Sequence, residues 1–83
     1  MDYYFTFSNM TSAQSAKAAL ERTGIGAAVR RTSGQMAESG CGYLLQVSTG
    51  NGRWASSVMR RNGASYRKVY QKDAFGAYRE VRL

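Results

Sequence analysis

The stretch Phe5-Thr6-Phe7-Ser8 decides the fold, because Leu45-Gln46-Val47-Ser48 repeats its pattern about forty residues later. Both alternate apolar and other side chains and end in serine, the mark of a strand with one face in a core. Each is followed by a helical stretch closed by glycine, at Gly24 and at Gly63, and then by a short extended run, around 27–31 and around 66–70. Both halves read strand, helix, strand. Two such halves in one short chain predict an α+β fold, the ferredoxin-like βαββαβ sandwich: a four-stranded antiparallel sheet with two helices on one face.

Period two assigns the strand faces. Tyr3, Phe5 and Phe7 share one side and Tyr4 and Thr6 the other; later, Tyr43, Leu45 and Val47 oppose Leu44 and Gln46. The face of Tyr4, Thr6, Leu44 and Gln46 is only partly polar and calls for a cover. Residues 1–70 account for the whole ferredoxin-like domain, leaving 71–83 as a C-terminal extension. Its Phe75 and Tyr78 are candidates for that cover, and a homodimer partner is the other candidate.

The helices carry their own punctuation. Thr11 and Gln14 have the spacing of a capping box, and Ala13, Ala16 and Leu20 form a narrow apolar stripe that lets a helix sit close to a sheet. Thr23-Gly24-Ile25 reads as a glycine C-cap with an apolar residue after it. The second helix is expected over 52–61, with Asn51 as N-cap, Asn62-Gly63 as the stop, and Trp54, Val58 and Met59 facing inward. Arg60 and Arg61 fall in its last turn, where the helix dipole favours cations.

Composition narrows the chemistry. The 83 residues include 12 Lys or Arg against 5 Asp or Glu, a net charge of +7, and 43% are hydrophobic, enough for one small core. Histidine is absent, which excludes His-based triads, HExxH sites and Cys/His zinc patterns. The four methionines share no spacing, so no metal site and no cofactor are expected. A single cysteine forms no internal disulfide and fits a reducing, cytoplasmic setting. Asp2 follows Met1 with no apolar leader behind it, so no signal peptide is expected, and no uncharged stretch has the length and apolarity of a membrane span.

That cysteine ends a Gly- and Ser-rich stretch, 32–42, which has no hydrophobic period and reads as a loop between the second and third strands. Cys41 admits two readings. A lone cysteine commonly behaves as a small buried hydrophobe. Alternatively it is a reactive thiol: Gly40 and Gly42 clear side chains from around it and allow backbone N–H groups to converge on an anion. Arg30, Arg31 and Arg53, close in sequence to the strand ends, would supply a positive field that favours thiolate. Without a histidine to act as base, Cys–His hydrolase or transferase chemistry is excluded, and no second cysteine supports a dithiol cycle. A thiolate that holds sulfur or selenium as a persulfide or perselenide for partner proteins fits this inventory best.

The run Tyr4-Phe5-Thr6-Phe7-Ser8, the Ala-rich helix, Gly24-Ile25 and then Ser39-Gly40-Cys41-Gly42-Tyr43-Leu44-Leu45 resemble the selenium/sulfur carrier-like family of small bacterial proteins. The resemblance extends over about residues 3–70 and ends on Lys68-Val69-Tyr70. It implies a small α/β domain, not an enzyme, whose Cys41 carries the chalcogen, with Ser39, Gly40 and Gly42 supporting the loop. A sulfur donor such as a cysteine desulfurase and an acceptor enzyme are the partners this implies.

Two other classes compete. A basic domain with Tyr4, Tyr43, Tyr66, Tyr70 and Trp54 has the ingredients of an RRM-like nucleic-acid-binding module, since arginines meet phosphates and aromatic faces stack on bases. Leu45 and Ser48 occupy later aromatic positions of the RNP1 pattern, which weighs against it. A structural or regulatory adaptor using Arg79-Glu80-Val81-Arg82-Leu83 as an interaction tail is the third class.

Overall fold

Alternating strands and capped helices assemble in the expected order, with one addition. The computed structural model describes residues 2–32, 40 and 42–83. It contains β1 (Asp2–Phe7), α1 (Met10–Arg22), β2 (Gly26–Arg31), β3 (Tyr43–Ser48), α2 (Gly52–Arg61), β4 (Val69–Lys72) and β5 (Tyr78–Glu80). The strands lie in the order β2-β3-β1-β4-β5, every neighbouring pair antiparallel. The first four strands have the ferredoxin-like order. The sheet has five strands, however, and not the four expected.

The fifth strand comes from turn chemistry. Asp73 Oδ1 accepts the amides of Phe75 (2.8 Å) and Ala77 (3.0 Å), and Gly76 N–H donates to the Asp73 carbonyl at 3.0 Å. This side-chain turn reverses the chain and returns it as β5 beside β4, with Tyr70 opposite Glu80 and Lys72 opposite Tyr78.

Both helices cover one face. Phe5, Phe7, Leu45 and Val47 from the central strands meet Ala13, Ala16, Ala19 and Leu20 of α1 and Ala55, Val58 and Met59 of α2 in the main core. The alanines allow α1 to approach the sheet closely, as their spacing predicted. Trp54 is a correction. It stands five residues before the buried Met59, about 140° around the helix, and is 45% exposed beside Arg61.

The start of α1 is a second correction. Asn9 caps it, accepting the Ser12 amide at 2.8 Å, so Thr11 lies inside the first turn rather than at the cap. Asn51 caps α2 as expected, accepting from Trp54 N–H at 3.0 Å. The two C-termini are built alike. Gly24 donates to Glu21 and Ile25 to Leu20; Gly63 donates to Arg60 and Ala64 to Met59. Both are Schellman closures, and they require the positive φ of Gly24 (83°) and Gly63 (75°).

The opposite face holds Tyr4 and Leu44 in a small second cluster with Tyr70. Tyr78 meets Tyr4 edge-on, ring centres 5.0 Å apart, and Lys72 Nζ lies 5.5 Å from the Tyr4 ring centre. Of the two aromatics expected as cover, Tyr78 is in place. Phe75 is not: it sits at the β4–β5 turn, 94% exposed.

Thr6 is also buried here, which polar chemistry permits because of a local bulge. Arg67 and Lys68 both oppose it: Thr6 N–H donates to the Lys68 carbonyl, Arg67 N–H donates to the Thr6 carbonyl, and Lys68 N–H donates to Thr6 Oγ1. The extended run expected over 66–70 is therefore interrupted, and the regular strand starts at Val69.

Candidate functional site

The expected site lies at the connection between β2 and β3. The ladder between these strands runs from Gly26–Ser48 at one end to Arg31–Tyr43 at the other, and Thr32 N–H adds one more bond to the Gly42 carbonyl at 3.1 Å. Gly40 and Gly42 are described, the former with φ 85°. Cys41 and Ser39 lie outside the described residues.

Register separates the three arginines assigned to the field around the thiol. Arg31 ends β2 and shares the helix-side face with Ala27 and Val29; its guanidinium carbon lies 5.6 Å from the ring centre of Tyr43. Arg30 points to the opposite face. Its Nε donates to Gln46 Oε1 at 2.8 Å, and Gln46 Nε2 in turn donates to Asp2 Oδ2 at 2.6 Å. Arg53 stands elsewhere. It opens α2, five residues beyond Ser48, at the Asp2–Ser48 end of the sheet, whereas the β2–β3 connection leaves from the Phe7–Tyr43 end. Strand β3 spans about 17 Å between those ends. Of the three, Arg31 thus stands at the strand end that leads into the connection, and Arg53 is not grouped with it.

Arg53 instead joins a cluster that sequence reading missed. With Ser56, Ser57, Arg60 and Leu83 it lines an open cavity of about 400 Å³ along α2. Positions 53, 56, 57 and 60 recur at i, i+3, i+4 and i+7, so they share a helical face. Tyr66 backs the cluster: its hydroxyl lies 2.8 Å from Ser56 Oγ and accepts from Arg60 Nη2 at 3.3 Å. Its ring packs edge-on against Phe5, 4.9 Å between centres. The helical spacing was legible in Arg-Trp-Ala-Ser-Ser-Val-Met-Arg-Arg, but the partner Tyr66 comes from beyond the helix and carries no local signal.

One carboxyl is strongly engaged. Asp73 is held below its ordinary range chiefly by the hydrogen bond from the Ala77 amide, then by Arg79 and by the Phe75 amide. Arg79 Nε donates to its Oδ2 at 2.9 Å. This group organises the β4–β5 turn.

Among the described residues there is no grouping of three His, Cys, Asp or Glu side chains able to hold a metal, and no helix is long and apolar enough to cross a membrane. Compared with protein-family models, curated proteins and solved structures, the chain finds no match.

Proposed function

We propose that this chain is a non-enzymatic chalcogen carrier, with the Cys41 thiolate accepting sulfur or selenium from a donor and delivering it to an acceptor enzyme. The reading rests on the resemblance of residues 3–70 to the selenium/sulfur carrier-like family and on the residue inventory. The observation that carries it is the Thr32–Gly42 hydrogen bond. Gly42 is the chain neighbour of Cys41, and this bond ties it to the end of the β2 ladder, beside Arg31 and Tyr43.

The transfer balances without an external oxidant or base. The Cys41 thiolate attacks the terminal sulfur of a donor persulfide; a new S–S bond forms, the donor's S–S bond breaks, and the donor leaves as thiolate. The acceptor repeats the exchange. Arg31, at the strand end that leads into the connection, favours the anionic thiolate and persulfide.

Incubation with a cysteine desulfurase and cysteine or selenocysteine, followed by intact mass measurement, tests this. Wild type gains one chalcogen atom and Cys41→Ser gains none. No adduct on wild type, or an equal adduct on Cys41→Ser, ends the proposal.

The RRM-like reading ranks below it. Base stacking on a sheet needs accessible central aromatics. Tyr4, on central strand β1, is 5% exposed and lies against Tyr78 and Lys72.

A further inference from the structure

The outward face of α2 carries charge that the fold does not use. Around the helix, at 100° per residue, Arg60, Arg53, Ser57, Arg61 and Trp54 follow one another away from the buried face. Helix α2 contains no acidic residue. The carboxylate side chains that are described are engaged elsewhere: Glu21 with Lys17, Glu80 with Lys68, Asp73 with Arg79, and Asp2 with Gln46. Arg53, Arg60 and Arg61 therefore have no side-chain carboxylate partner among the described residues.

Helix stability does not account for all of this charge. Arg60 and Arg61 in the last turn complement the dipole, but Arg53 in the first turn opposes it. Meanwhile Arg60 is steadied by Tyr66, through the hydroxyl contact and with its guanidinium carbon 5.7 Å from the ring centre. Arg61 is steadied by Trp54, 5.1 Å from the ring centre. Guanidinium groups held this way lose less side-chain entropy when they bind.

The geometry points to a docking strip for an acidic segment of a partner protein, seated along the cavity of Arg53, Ser56, Ser57 and Arg60. Carboxylates on a partner helix, spaced three and four residues apart, meet Arg53, Ser57, Arg60 and Arg61 at matching intervals. Trp54 and Leu83 flank the charges with exposed apolar surface, the arrangement of aromatic and arginine anchors common at protein interfaces. Single-stranded nucleic acid fits less well. Successive bases need several stacking surfaces, whereas the strip offers Trp54 and the half-buried Tyr66, each already in contact with an arginine. Cys41 plays no part in this inference.

Fluorescence anisotropy of the full chain tests it with two labelled probes of equal charge: a Glu-rich helical peptide and an oligo-dT. The peptide binds more tightly, and raising salt from about 0.05 to about 0.15 M weakens it. The double variant Arg53→Ala/Arg60→Ala loses about tenfold or more in peptide affinity. Lys17→Gln/Lys72→Gln removes the same charge away from α2 and stays within about twofold of wild type. Circular dichroism confirms that each variant is folded, and Arg53→Ala alone, at an exposed position with no side-chain partner among the described residues, keeps the test valid if the double variant is not. Equal losses in both double variants, no loss in either, no peptide binding to wild type, or tighter binding of oligo-dT would overturn the inference.

Discussion

Gly52 packs against the ring of Tyr3: a Cβ placed on it would stand 2.7 Å from Cε2 and Cζ of that ring. The contact seats the first turn of α2 on β1. In an exposed helix, replacing glycine by alanine ordinarily gains about 1 kcal/mol. Here Gly52→Ala forces the ring aside and is expected to destabilise the fold by about 1–3 kcal/mol, measured by denaturant unfolding. A stability equal to or above wild type would contradict this packing.

Ser56 is only 6% exposed, and its hydroxyl pairs with Tyr66. Tyr66→Phe keeps the ring on Phe5 but leaves that buried hydroxyl with less to bind, at an expected loss of about 1 kcal/mol. Adding Ser56→Ala to Tyr66→Phe should recover part of the loss. Additive losses in this double-mutant cycle would show that the two hydroxyls are not coupled.

The β4–β5 turn should be acid-sensitive. Asp73 has a folded pKa below its ordinary value, so its contribution is present above the unfolded pKa and is lost as pH falls through the lowered folded value. NMR titration should show the Phe75 and Ala77 amide shifts moving together, with a midpoint below the usual aspartate range. A midpoint at or above that range would contradict the turn described. Asp73→Asn should loosen β5 while leaving the amides of β1 and β3 protected from hydrogen exchange.

Arg31 is expected to influence Cys41 more than Arg53 does, because β3 separates the ends of the sheet to which these arginines belong. Alkylation of the thiol at neutral pH should slow in Arg31→Ala and be unchanged in Arg53→Ala. Equal slowing in both would restore the grouping of all three arginines.

Much of the fold was legible in the sequence because local and tertiary demands agree. Alternation in Phe5-Thr6-Phe7 and Leu45-Gln46-Val47 set the faces of the central strands, and Gly24 and Gly63 marked helix ends that close by the same pair of hydrogen bonds. The fifth strand was not read from the sequence: Asp73 and Gly76 stand at the first and fourth positions of a turn, but the short Tyr78–Glu80 run has little hydrophobic pattern to announce a strand after it. Trp54 misleads because size and apolarity point inward, while its angle from Met59 and the neighbouring Arg61 hold it outward. The candidate site divides the same way. Arg30 and Arg31 share a strand, but adjacent positions on a strand point to opposite faces, and Arg53 belongs to a helix that starts at the far end of the sheet. Sequence proximity does not convey those directions.

Cold cyanolysis of the protein after incubation with a cysteine desulfurase and cysteine measures sulfane sulfur held on the chain. The carrier account predicts one thiocyanate released per loaded wild-type chain and none from Cys41→Ser; no thiocyanate from wild type, or equal release from both, would contradict it.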